Sequence, residues 1–130
     1  MNNSIYGSNA SALIDATDPD IGAECQIEFT NNILYQAGTG ACAALAAAIP
    51  RQSHNLYYAP NGTIGVKLTK SESDRDPGWV ALPSGPYKPD ACRLAASRPG
   101  VDLSKLFTMD FDGAPRSGWD VGAREFREEK

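Results

Sequence analysis

A chain of 130 residues with net charge −4, 42% apolar residues and mean hydropathy −0.37 has the length and composition of one globular domain able to bury its own core. Residues 1–50 hold no lysine or arginine, only Asp15, Asp18, Asp20, Glu24 and Glu28, and this excludes the basic arm that a nucleic-acid backbone requires. The longest apolar run, Ala41 to Ile49, is far below the ~20 residues of a membrane helix, and no basic leader with an apolar stretch opens the chain.

Residues 1–17, rich in Asn, Ser and Ala and anchored only by Ile5, Tyr6, Leu13 and Ile14, read as an arm ahead of a compact domain over residues 18–130. Asp18 followed by Pro19 offers a helix cap, and Ile21, Cys25, Phe29 and Ile33 recur every four residues, which predicts a helix. Cys25, Ile27 and Phe29 also alternate, which leaves a strand open over residues 24–29.

The stretch AGTGACAALAAAIP, residues 37–50, predicts a second helix from Gly40 to Ile49, capped by Thr39 and stopped by Pro50. Alanine forms helices well but buries little area, so such a helix serves close approach of a neighbour. Next, NLYYAPNGTIGVKLTK predicts a hairpin over about 55–69, turning at Pro60, Asn61 and Gly62. A charged loop and an extended piece broken by prolines follow. A short helix is expected over 89–97, one turn or two after Asp102, and a last helix from Asp120 carrying Val121, Arg124 and Phe126. The fold class expected is α+β, a small domain of short helices, one hairpin and extensive irregular loops.

Chemistry-bearing residues are few. Cys42 falls where a helix should begin, a setting that favours thiolate, and with His54 as base would suit a cysteine-dependent hydrolase. The weightier expectation is a small buried thiol, because His54 follows just beyond Pro50 and a return to the helix start is awkward. Cys25, Cys42 and Cys92 lie far apart and read as free thiols, and one histidine gives no zinc spacing. GTG at 38–40 lacks the third glycine of a dinucleotide loop and a phosphate-binding lysine, so no cofactor is expected. Asp110 and Asp112 in DFDG are weak metal candidates, since Ala114 stands where a third oxygen donor belongs; a turn capped by its own aspartates is the simpler reading.

The uncharged span from Phe29 to Pro50 is expected to be covered by protein rather than open to reactants. The expectation is therefore a non-catalytic structural or interaction subunit of a larger assembly, such as a virion decoration or head–tail component, cytoplasmic or within a virion. Its partners would be proteins, including copies of itself, not nucleic acid or membrane. Asp15, Asp18, Asp20 and Glu24, as an acidic face, and Trp79, Tyr87 and Trp119 are the candidate contact residues; the three aromatics stand beside glycine and proline, a setting that equally suits plugs of a small core. The alternatives are the Cys42–His54 hydrolase and an acidic inhibitor or immunity-type protein.

Overall fold

The computed structural model describes residues 1–8, 10–17, 28–45, 51–82 and 92–128. Its strands are β1 (Ser4–Gly7), β2 (Ala12–Ala16), β3 (Glu28–Thr30), β4 (Ile33–Gln36), β5 (Ala41–Leu45), β6 (Arg51–Ser53), β7 (Leu56–Tyr58) and β8 (Ser73–Asp74). Every pairing between them is parallel: β4 lies on β1, β5 on β2, β6 on β3, β7 on β4 and β8 on β7. Later strands therefore stack on earlier ones, and the chain winds as a parallel solenoid with the four-stranded sheet β1-β4-β7-β8 as its longest wall. Ser4 lies beside Ile33, Ile33 beside Leu56 and Leu56 beside Ser73, so the coils shorten as they proceed.

The expected α+β class is overturned, because no described residue is helical. Ala41–Leu45, expected in the alanine helix, is strand β5; residues 46–50 lie outside the described ones. Helix propensity is a weak prior, and here the coil interior overrides it. Cys42 and Ala43 are wholly buried against Leu34 and Tyr57, where only a small side chain fits between stacked walls. The helix expected from Asp18 runs into residues 18–27, outside the described ones; its far end, Phe29 and Ile33, lies on β3 and β4.

The expected hairpin is also absent. Pro60, Asn61 and Gly62 do turn the chain, with Gly62 N–H donating to the Ala59 carbonyl, but the arms diverge onto adjacent walls. Tyr57 pairs with Leu34 on one wall, while Thr63 bridges Ala41, in parallel, on the next. Residues 92–97 are not helical either: Leu94 makes an antiparallel bridge to Trp79, and residues 89–91 lie outside the described ones. The tail from Asp120 cannot wind because the carbonyls of Asp120, Gly122 and Ala123 accept from the Arg116 guanidinium and Gly122 holds φ at +89°. Asp102 does cap a single turn, its Oδ1 accepting the Ser104 N–H.

Two apolar layers follow. Inside the coils lie Phe29, Leu34, Cys42, Ala43 and Tyr57, with Ile5, Leu13, Ile14, Ile64 and Val66 at their margins. Outside the long wall, Ile33 and Leu56 are covered by Leu94 and Val121, with Trp79 and Phe126 beside them. Ile33 and Leu34 are thus both buried although they face opposite sides, which explains the unbroken apolar reading of this stretch. Segment 92–126 forms a strand-poor cap on that outer face. No helix among the described residues is long and apolar enough to cross a membrane.

Candidate functional site

The first residues of each coil repeat one local design. Asn2, Asn31 and His54 sit at φ of 51°, 56° and 53°, a left-handed conformation that asparagine tolerates better than most residues. Each is followed by an asparagine, Asn3, Asn32 or Asn55, and then by the first residue of β1, β4 or β7. The kink of one coil is thereby placed over the kink of the next, and the asparagine side chains stack.

Their hydrogen bonds run one way. Asn32 Oδ1 accepts both the backbone N–H and Nδ2 of Asn3, each at 3.0 Å. Asn55 Oδ1 accepts the same pair from Asn32, each at 2.9 Å. Asn55 Nδ2 donates to the Phe29 carbonyl at 2.7 Å and to Glu72 Oε1 at 2.8 Å. Glu72 ends the series: its carboxylate also accepts from Tyr57 Oη and the Thr69 N–H, and it has no donor to pass on. Burial first, then this carboxylate, pushes the Tyr57 phenol far above its usual range.

At the other end the series is open. Asn32 and Asn55 are fully buried, whereas Asn3 is exposed and its Oδ1 accepts no hydrogen bond among the described residues. The strand beside it is an edge. The Asn3 and Gly7 carbonyls accept from the Ile33 and Ala37 N–H groups at 2.8 Å each, so the alternating parallel ladder turns the backbone groups of Ser4 and Tyr6 away from β4. No strand pairs with that side of β1 among the described residues.

An aromatic row crosses the same sheet. Tyr6, Tyr35 and Tyr58 are in register, edge to face at 5.3 and 4.9 Å, and Trp79 packs 5.6 Å from Tyr35 and 6.4 Å from Tyr6. All four are half-buried, and the Tyr35 phenol is pushed up, chiefly by burial and then by Tyr58. The row stiffens the wall that carries the edge.

Cys42 Sγ lies inside the coil, 3.5 Å from the Leu34 and Tyr58 carbonyls, and burial pushes its thiol up, away from thiolate. His54 occupies the kink between β6 and β7 on a different wall, its backbone N–H donating to Ser71 Oγ. Cys42 and Cys92 are free thiols. Asp110 Oδ1 accepts the Asp112 and Ala114 N–H groups, its Oδ2 accepts Arg127 at 2.8 Å, and Asp112 pairs with Arg124 at 3.0 Å. These carboxylates line a groove of about 230 Å³ together with Arg124 and Arg127, and no His/Cys/Asp/Glu group among the described residues is arranged for a metal.

Asp15 is exposed and accepts Thr17 Oγ1 at 2.6 Å and its N–H at 3.1 Å, which holds its carboxyl below the usual range. Trp119 is buried 5.4 Å from Phe107 under the Arg116 guanidinium, so it is a plug of the cap. Trp79 joins the aromatic row. Asp18, Asp20, Glu24 and Tyr87 lie outside the described residues. What the residue patterns did not disclose is the asparagine series. Its only trace is the recurrence of NNS, NNI and HNL at 2–4, 31–33 and 54–56, each an asparagine ahead of a strand. No family model, curated protein or solved structure matches the chain.

Proposed function

We propose that this chain is a non-catalytic structural unit of a larger protein assembly, a rigid solenoid that takes β-structure from a protein partner along the outer edge of β1. The observation that carries this reading is that edge: Ser4 and Tyr6 turn their backbone groups away from β4, at the end of a sheet stiffened by stacked aromatics. An unpaired strand edge is a template for an added strand, because main-chain hydrogen bonds supply the affinity. The groups suited to chemistry support it from the other side. The Cys42 thiol donates inside the core, Asp110 accepts backbone and arginine donors, and Glu125 faces Arg116 at 3.6 Å.

Two measurements on the isolated chain test it. Amide hydrogen exchange is expected to be fast at Ser4 and Tyr6 and slow at Leu34 and Tyr57. Alkylation of Cys42 at neutral pH is expected to be at least about 100-fold slower than that of free cysteine, and unchanged by His54→Ala. Protected Ser4 and Tyr6 amides in the lone monomer would mean that the edge is already covered. Fast alkylation abolished by His54→Ala would replace the assembly reading with thiol catalysis.

A further inference from the structure

Resting on that reading, we infer that the partner strand at β1 belongs to a parallel β-coil carrying an asparagine at the ladder position, and that a second copy of this chain does not supply it. Two rungs define what a rung accepts. On each, an asparagine Oδ1 receives the backbone N–H and the Nδ2 of the asparagine one coil earlier. Asn3 Oδ1 has the same position in its coil and is exposed, with no donor among the described residues. The group that completes it must bring two N–H donors, one from backbone and one from a primary amide, on a strand running parallel to β1.

Neither end of a second copy meets that requirement. Stacked head to tail, the last coil would offer Glu72, a carboxylate whose oxygens only accept and are already used by Asn55, Tyr57 and Thr69. Stacked head to head, the facing Asn3 has spent both Nδ2 hydrogens, on Met1 O at 3.1 Å and Asn32 Oδ1 at 3.0 Å. The solenoid is thus directional: acceptor-ended at Asn3, and closed at Glu72 by a residue that stops the series.

A fusion tests this. Residues 31–53 are copied in front of Asn2, so that Ser53 of the copy leads into Asn2 as it leads into His54 in the native chain. The expected result is a rise in Tm of at least about 3 °C with new exchange protection at Ser4 and Tyr6. The same fusion with Asn32→Asp in the added copy, which replaces the donor by an acceptor, is expected to lose most of both gains.

If the fusion leaves Tm and exchange unchanged, the edge takes no coil, and the proposed function falls with the inference. If the Asn and Asp fusions gain equally, the edge takes a coil but the ladder does not select it; only the inference is overturned. Native mass spectrometry of the unfused chain supplies the remaining outcome, because a dimer with protected Ser4 and Tyr6 would make a second copy the partner and overturn the inference.

Discussion

Tyr57 is where the coil interior and the ladder meet, since its ring fills the core beside Leu34 and Cys42 while its hydroxyl donates to Glu72 at 3.0 Å. The buried phenol keeps its proton well above the ordinary value of about 10, whereas the unfolded chain releases it there, so the unfolded state binds fewer protons at high pH and stability falls as pH rises past 10. By pH 11 this one group removes about 1.4 kcal/mol. Tyr57→Phe should cost about 1 kcal/mol at pH 8, through the lost hydrogen bond, but should escape the alkaline decline. Urea unfolding at pH 8 and pH 11 compares the two proteins, and the difference between them is expected to close at the higher pH. A difference that stays constant would mean that the phenol titrates normally in the folded state.

Successive coils approach closely at one corner, and glycine makes the contact. A Cβ on Gly40 would run into the Ala10 carbonyl, and one on Gly62 would run into the Gly40 carbonyl and lie 3.0 Å from that of Gly38. These obstacles are backbone, so relief requires shifting one coil off the next. Gly62→Ala is therefore expected to cost about 2 kcal/mol or more although its φ is ordinary, while Gly113→Ala, at φ +74° with open space around it, should cost about 1 kcal/mol through the backbone alone. Thermal melts of both variants give the order, and an equal loss would argue against coil contact as the cause. This corner also explains how much was legible beforehand. PNG reads as a turn and does turn the chain, AGTG reads only as a break ahead of a helix, and Cys42 reads first as a buried thiol. What the turns connect was not legible, because a corner between two parallel walls and a hairpin use the same Gly, Pro and Asn. Ala41–Leu45 carries no β-branched residue and reads as helix on propensity; it is a strand because its carbonyl and amide partners come from residues 11–16 and 63–64, remote in sequence. Coils of unequal length hid the repeat as well, and with it the spacing of Asn3, Asn32 and Asn55 that marks the candidate site.

At the scale of the molecule, the cap is joined to the solenoid through the same kinks that build the ladder. Asn31 Nδ2 donates to the Val101 carbonyl at 2.7 Å, its Oδ1 accepts the Val101 N–H, and its own carbonyl accepts Gly122 N–H at 2.7 Å. Asn2 Nδ2 reaches the carbonyls of Asp120 and Gly122. Arg116 holds that tail in place: its guanidinium donates to the carbonyls of Asp120, Gly122 and Ala123 at 2.8 to 3.0 Å, faces Glu125 at 3.6 Å and lies over the rings of Phe107 and Trp119. Glu125 in turn accepts the N–H groups of Ser117 and Gly118. A planar fork is needed here, because a lysine ammonium keeps the charge but cannot span three carbonyls in one plane. Arg116→Lys should then cost about 2 kcal/mol, and Arg116→Met about 3–5 kcal/mol, since the latter strands the buried Glu125 carboxylate. The loss should fall on the cap. Both tryptophans report it, Trp119 beneath the guanidinium and Trp79 against Tyr35, whereas far-ultraviolet dichroism reports the strands. In the native protein the two signals should melt together; in Arg116→Lys the tryptophan transition should precede the strand transition, with the Asn32 and Asn55 side-chain amides still protected between them. Coincident transitions in the variant would show that cap and coils unfold as one cooperative unit, and that Arg116 stabilises the whole rather than fastening a separate cover to the solenoid.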